Sequence, residues 1–296
     1  MADKVVRPSH PGRSESREVA ELRALKQRQP ELADAVDMHL ELLEVQRRIQ
    51  ARIPLPSFEL NDATLRSHQA EARPLLRFED IPFELTELRL AVRQTADILR
   101  RFGALDESDF RKVQALGRDE SLVAVLREWY RTGLEKHVAA AVTKSPADVA
   151  GTSGGSGIDD QVFALVIRPF LSRCAEVVQP RTELAIWQHP HCALCGGEPE
   201  LAVITPTAER HLICGRCGLR WKFEPLTCPF CRNSDRSRIT SFATPDGRYR
   251  VYACDVCTRY VKAYDGRRAT RPVMPVVDSV ATLPLDAAAM QRGYSS

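Results

Sequence analysis

The sequence predicts an α+β protein, an all-helical front followed by two small β modules that are each organised around four cysteines. Three observations carry this expectation. Apolar residues recur at steps of three and four from about Arg17 to Val178, the spacing of one helix face. Eight of the nine cysteines fall in four Cys-x-x-Cys pairs between Cys192 and Cys257. Short β-prone runs lie between those pairs, punctuated by Pro, Gly and Asp.

The first stretch is polar and rich in Pro, Ser and Arg, and reads as a disordered arm over residues 1–16. A helical domain follows over residues 17–189. In PELADAVDMHLELLEVQRRIQARIP, Pro30 suits a first helical position and Pro54 a stop, with Leu32, Val36, Leu40 and Leu43 on one buried face. A second helix is predicted over Phe83–Phe102, with Leu85, Leu88, Val92, Ala96, Leu99 and Phe102 as its stripe and Gly103 as its cap. A third covers Ser121–Thr132, with Leu122, Val125, Leu126 and Trp129 inward. Gly133 ends it, and a fourth covers Leu134–Val142. GTSGGSG at Gly151–Gly157 reads as a flexible separator between helices. The apolar segment Asp159–Val178 is helix-like again, with Pro169 either kinking it or starting a new helix.

Beyond His189 the texture changes to PELAVIT, RHLIC, LRWKF, RITSFAT, YRVYAC and YVKAY, six strand candidates. The cysteine pairs between them are Cys192/Cys195, Cys214/Cys217, Cys228/Cys231 and Cys254/Cys257. Two residues between cysteines make a tight turn that aims both sulfurs at one ion. The residue after the second cysteine often needs a positive φ, which Gly196 and Gly218 take readily and Arg232 and Thr258 less so. Eighteen residues separate Cys195 from Cys214 and 22 separate Cys231 from Cys254, each room for a β-hairpin, whereas the ten between Cys217 and Cys228 make a linker. Consecutive pairs therefore combine: Cys192, Cys195, Cys214 and Cys217 in one site, and Cys228, Cys231, Cys254 and Cys257 in the other. An interleaved cross-brace stays open as the alternative. The modules are expected at residues 190–226 and 227–271, as a duplicated rubredoxin-like or zinc-ribbon unit. A C-terminal segment over 272–296 holds a Pro-broken stretch and a short helix near Leu285–Gln291. Zinc and iron both accept four tetrahedral thiolates, so the metal is left open between them.

Other residues read more plainly. Cys174, alone on an apolar helix, reads as a buried inert thiol. His189, His191 and His211 lie near sites whose shells are already complete. Trp221, Phe223, Tyr260 and Tyr264 read mainly as the small cores of the modules, with an exposed aromatic platform as the alternative. Net charge is +3, with fourteen Lys and Arg against eight Asp and Glu from Pro190 to Arg271. Each four-thiolate site around a divalent ion carries −2, so the local excess of +6 falls to about +2, which argues against a nucleic-acid footprint. No apolar run approaches the roughly 20 residues of a membrane span, and the first residues carry no apolar core of a secretory signal. A cytoplasmic location is the expectation. No phosphate loop, nucleophile elbow or persuasive carboxylate pair is present, so no enzyme activity is expected.

The segments CALCGGEPELAVI, RHLICGRCGLRW, TCPFCRN and ACDVCTRYVKAY, set behind an all-helical front, resemble the formate dehydrogenase accessory protein (FdhE) family. The tail VVDSVATLPLDAAAMQRGY is similar to that family's close, at Asp278, Leu285, Asp286, Gly293 and Tyr294. The likeness is specific from Cys192 to Tyr294 and architectural before that. Ala193 stands where the family often has proline, and Asp278–Ser279 where it has paired aspartates. The resemblance implies a cytoplasmic assembly factor for respiratory formate dehydrogenase that binds the catalytic subunit and self-associates. It implies that the eight cysteines are ligands, with iron among the associated metals. Trp221, Tyr260, Asp278 and Asp286 are the candidates for partner contact. Two other functions stay open on the residues alone, a zinc-ribbon nucleic-acid binder and a rubredoxin-like electron carrier.

Overall fold

A computed structural model of the chain describes residues 15–58, 61–142, 158–180 and 182–295. Most of the arm and the GTSGGSG separator lie outside the described residues. Helix α1 (Arg17–Arg28) starts at Ser16, whose hydroxyl accepts from the Val19 amide. Helix α2 (Ala33–Gln50) follows a single 3-10 turn opened by Pro30. The predicted stripe of α2 is buried at Leu32, Val36 and Leu43, with Leu40 packed half-buried beside it, against Leu22 and Leu25 of α1. A second stripe, Leu42, Val45 and Ile49, enters the main core. Helix α2 thus has two apolar faces because it is sandwiched between layers.

Helix α3 (Asp62–Ala70) is capped by Asn61 and helix α5 (Glu107–Leu116) by Asp106. Between them, α4 (Leu85–Arg101) buries Leu88, Val92, Ala96 and Leu99 as read from the sequence. Leu85 is exposed and Phe102 half-buried, because these two residues stand at the helix ends. Helix α6 (Leu122–Val142) runs unbroken through Gly133, where the sequence predicts a stop. The glycine makes no turn here and lies against the end of the Arg216 side chain: a Cβ on it would lie 2.8 Å from a guanidinium nitrogen. Helix α7 (Ile158–Val178) also stays continuous, through Pro169. Pro169 has no N–H for the Leu165 carbonyl one turn earlier. The Gln46 side-chain amide on α2 donates to that carbonyl instead, at 3.3 Å. A helix break is avoided because a neighbour satisfies the orphaned acceptor. Among the described residues, no helix is long and apolar enough to cross a membrane.

All six strand candidates form: β1 (Pro199–Ile204), β2 (Arg210–Cys214), β3 (Arg220–Lys222), β4 (Ile239–Ala243), β5 (Tyr249–Cys254) and β6 (Arg259–Asp265). Each half is an antiparallel meander, β1-β2-β3 and β4-β5-β6. They join into one sheet of order β3-β2-β1-β6-β5-β4 through the parallel pair β1·β6, with Leu201 opposite Lys262 and Ile204 opposite Asp265. Successive side chains alternate between faces. Ala202, Leu212, Trp221, Val261 and Ala263 enter the main core shared with the helices. Leu201, Val203, Ile213, Tyr249 and Tyr264 cluster on the other side with Leu285. That other side is covered by α8 (Pro275–Ala281) and α9 (Leu283–Gln291). The sequence reads the segment holding α8 as broken by prolines, but Pro275 occupies a helix-opening position, where a missing N–H costs nothing.

Two aspartates fasten this C-terminal layer. Asp278, fully buried, accepts from the Tyr249 hydroxyl at 2.7 Å, the Arg271 guanidinium at 2.6 Å and the Met274 amide at 2.7 Å. Asp286 accepts from the Tyr260 hydroxyl and the Lys262 ammonium, both at 2.7 Å. Tyr260 is itself buried. In this structure the polar atoms of Tyr260, Asp278 and Asp286, the candidates for partner contact, bond internally between the sheet and α8 and α9. Asp278→Asn keeps the shape but strips the charge opposite Arg271. It should lower the unfolding free energy in urea by about 3 kcal/mol, as for other broken buried pairs. A loss below about 0.5 kcal/mol, the scale of an ordinary surface change, would contradict this account.

Candidate metal centres

The four Cys-x-x-Cys turns repeat one backbone design. In each, the residue after the second cysteine donates its N–H to the carbonyl of the first: Gly196 to Cys192, Gly218 to Cys214, Arg232 to Cys228 and Thr258 to Cys254, at 2.9–3.0 Å. All four residues have positive φ, 70° and 77° at the glycines and 59° and 55° at Arg232 and Thr258. The two non-glycine turns accept a conformation that L-residues disfavour. The closed turn aligns both sulfurs on one side. Amides inside the turns then point at sulfur, as Arg216 N–H does to Cys214 Sγ at 3.3 Å and Phe230 N–H to Cys228 Sγ at 3.5 Å.

The turns meet in the consecutive pairing. Cys192, Cys195, Cys214 and Cys217 form one cluster and Cys228, Cys231, Cys254 and Cys257 the other, with the sulfurs of each all within 4.8 Å of one another. The closest sulfurs are 3.5 Å apart in the first cluster and 3.6 Å in the second. A metal about 2.3 Å from four tetrahedral sulfurs requires edges of roughly 3.8 Å, so the arrangement fits an ion of zinc or iron size with little adjustment. The electrostatics point the same way. Burial pushes the thiols of Cys192 and Cys217 well above the ordinary range. Hydrogen bonding to Cys231, Cys254 and Cys257 does the same to Cys228. The sulfurs cannot all be thiolates together without a cation among them.

The first cluster sits against the helical layer. The Leu75 and Leu76 amides, on the segment before α4, donate to the carbonyls of Ala193 and Leu194 at 2.8 and 2.9 Å. Arg216 lays its guanidinium over the Trp129 ring at 4.4 Å, in the space left by Gly133. The nearby histidines are not ligands. Nε2 of His189 lies 2.7 Å from the Gln69 carbonyl, and Nε2 of His191 lies 2.9 Å from the Ala72 carbonyl. A carbonyl can only accept, so these nitrogens carry protons. His211 is half-buried on β2 and belongs to neither cluster. Trp221, proposed from sequence as a partner contact, is buried and donates its indole N–H to the His189 carbonyl at 3.1 Å. The ring packs the interface between sheet and helices. Cys174 is fully buried, and desolvation raises its pKa to about 12, as an inert thiol requires.

Three further residues shape the centres. Arg259 stacks on the Phe230 ring at 3.7 Å and grips Glu198 through both guanidinium ends at 2.8 and 2.7 Å. Glu198 lies just past the first knuckle and Arg259 just past the last, so this pair ties the two centres together. Arg210 of β2, only 3% exposed, crosses to the linker and donates to the Thr227 carbonyl at 2.7 Å, beside Cys228. No sequence signal marks these residues, since a charged residue at a strand end reads as solvent-facing.

No family model matches the chain. Over 143 residues it is 24% identical to a curated protein named "Protein FdhE homolog" from Actinobacillus pleuropneumoniae serotype 3 (strain JL03), a match covering 47% of each chain. The homolog from serotype 7 (strain AP76) matches to the same extent. The chain thus spans about half the length of the curated relatives it matches. Its fold is similar to the crystal structure of the FdhE protein from Pseudomonas aeruginosa, with a TM-score of 0.59 and 16% identity over 94% of this chain and 91% of that one. The chain is thus similar in sequence to FdhE homologs over 47% of its length and similar in fold to an FdhE crystal structure over 94% of it.

Proposed function

We propose that this chain is an accessory protein of formate dehydrogenase, an assembly factor that engages the catalytic subunit and carries two structural metal ions. The observation that carries the reading is the pair of closed four-sulfur clusters, buried where the helical layer meets the sheet. A four-thiolate shell offers no open position for substrate, so the ions hold shape and do not perform catalysis. Cys192, Cys195, Cys214 and Cys217 would hold one ion, and Cys228, Cys231, Cys254 and Cys257 the other. When bound, the ion adds folding free energy to modules with small cores and neutralises the crowded thiolates. Reduced cysteines in this number suit a cytoplasmic protein. The FdhE likeness supports the choice of client.

Anaerobically purified protein should contain about two metal equivalents per chain by elemental analysis. Cys195→Ser and Cys231→Ser should each lower that to about one, because three thiolates hold an ion far less firmly. Metal content unchanged in both variants would overturn the ligand assignment. Iron in the sites would show as thiolate-to-iron absorbance in the visible, whereas zinc would leave the protein colourless.

Tagged protein produced with the formate dehydrogenase catalytic subunit should retain that subunit through purification. Cys195→Ser, which loosens the contact between the first cluster and α6, should reduce the recovery at least several-fold. No recovery with the unaltered protein, at low and at moderate salt, would end the proposed partnership.

A further inference from the structure

The two centres are alike in ligands and unlike in surroundings. In the first cluster no cysteine is more than 2% exposed, and the helical layer closes over it through Leu75, Leu76 and Arg216. In the second, Cys231 and Cys257 reach 9% and 6% exposure. A cavity of about 140 Å³ also lies directly against it, with Cys228 and Cys254 in its wall. The remaining wall is mostly apolar, formed by residues such as Ile239, Val261 and Tyr252, with the buried guanidinium of Arg210 set into it. Among the described residues, Nε and Nη2 of Arg210 have no hydrogen-bond partner. A cavity of this size takes a molecule of about benzene's bulk. An apolar wall, two sulfur ligands and one buried cation together suit a small, soft, anionic donor: a thiolate on a short apolar stem.

We propose that the second cluster is the exchangeable centre and that this cavity is its port, admitting small thiols to the sulfurs of Cys228 and Cys254. The first cluster, closed on every side by chain, is the permanent strut. The inference rests on the reading that both clusters hold metal. Its test therefore has one arm on loaded protein and one on metal-free protein. Zinc-loaded protein is challenged with millimolar 2-mercaptoethanol, and released zinc is followed with an indicator dye too large to enter the cavity.

The expected result is release in two phases of equal amplitude, with rates at least tenfold apart. Cys231→Ser should lack the fast phase. Ile239→Trp, which fills the cavity, should slow that phase at least tenfold and leave the slow one unchanged. In the second arm, brief alkylation of metal-free protein with iodoacetamide, mapped by mass spectrometry, should modify Cys228 and Cys254 before Cys192 and Cys214. A single release phase, a fast phase that survives in Cys231→Ser, or the reverse labelling order would overturn the proposal. Protein that takes up no zinc would sink the reading of the clusters as metal sites, while the labelling order would still decide whether the port exists. If Ile239→Trp fails to fold, the same labelling arm on the unaltered chain decides it.

Discussion

Crowded sulfur is the constraint on which the rest of this structure depends. Four buried thiols within 4.8 Å of one another repel as thiolates and leave unmet polarity as thiols, so each cluster calls for a cation at its centre. Each tetrad joins a knuckle before a hairpin to one after it, which fixes the hairpin's register. The strands between cysteines have little core of their own. Their inward residues, Ala202, Leu212 and Val261, become useful only when helices α2, α4, α6 and α7 close over the same face. Sulfur geometry thus reaches the helical layer through packing, and the first centre reaches it directly through Arg216 and Trp129.

The centres are also joined to each other. The parallel pairing of β1 with β6 makes one sheet out of two meanders. Glu198 and Arg259 bridge the join beside both knuckle systems, and Arg210 crosses from the first meander to the linker that opens the second. Charge and hydrogen bonding therefore run between the two halves of the sheet. The C-terminal helices lock the opposite face with Asp278 and Asp286, leaving both sides of the central strands β1 and β6 covered.

Much of this was legible in the sequence because local rules and long-range structure agree. The knuckles, their pairing and all six strands followed from cysteine spacing and hairpin-length gaps. The positive φ after each second cysteine followed from the glycines at two knuckles and held at Arg232 and Thr258 as well. The misses have a common cause in tertiary partners. Gly133 and Pro169 are local stop signals, yet Arg216 fills the space beside the first and Gln46 satisfies the carbonyl freed by the second. Pro275 reads as a breaker until the helix it opens is seen. The inward bonds of Asp278, Asp286, Tyr260 and Trp221 leave no mark in a single sequence, because they are made to residues distant along the chain.

The join between the meanders has a geometric consequence of its own. It pairs the first strand of one unit with the last strand of the other, so it is head-to-tail and does not close on itself. The outer edges of the sheet are β3 and β4, which correspond to the two partners of that same joint. Left alone, such an arrangement would extend from copy to copy as an open ladder. The repeat is uneven at one point: β6 has seven residues, while its counterpart β3 has three. A three-residue edge offers too few backbone groups to template another strand. That brevity makes the β3 edge a poor template for a further rung.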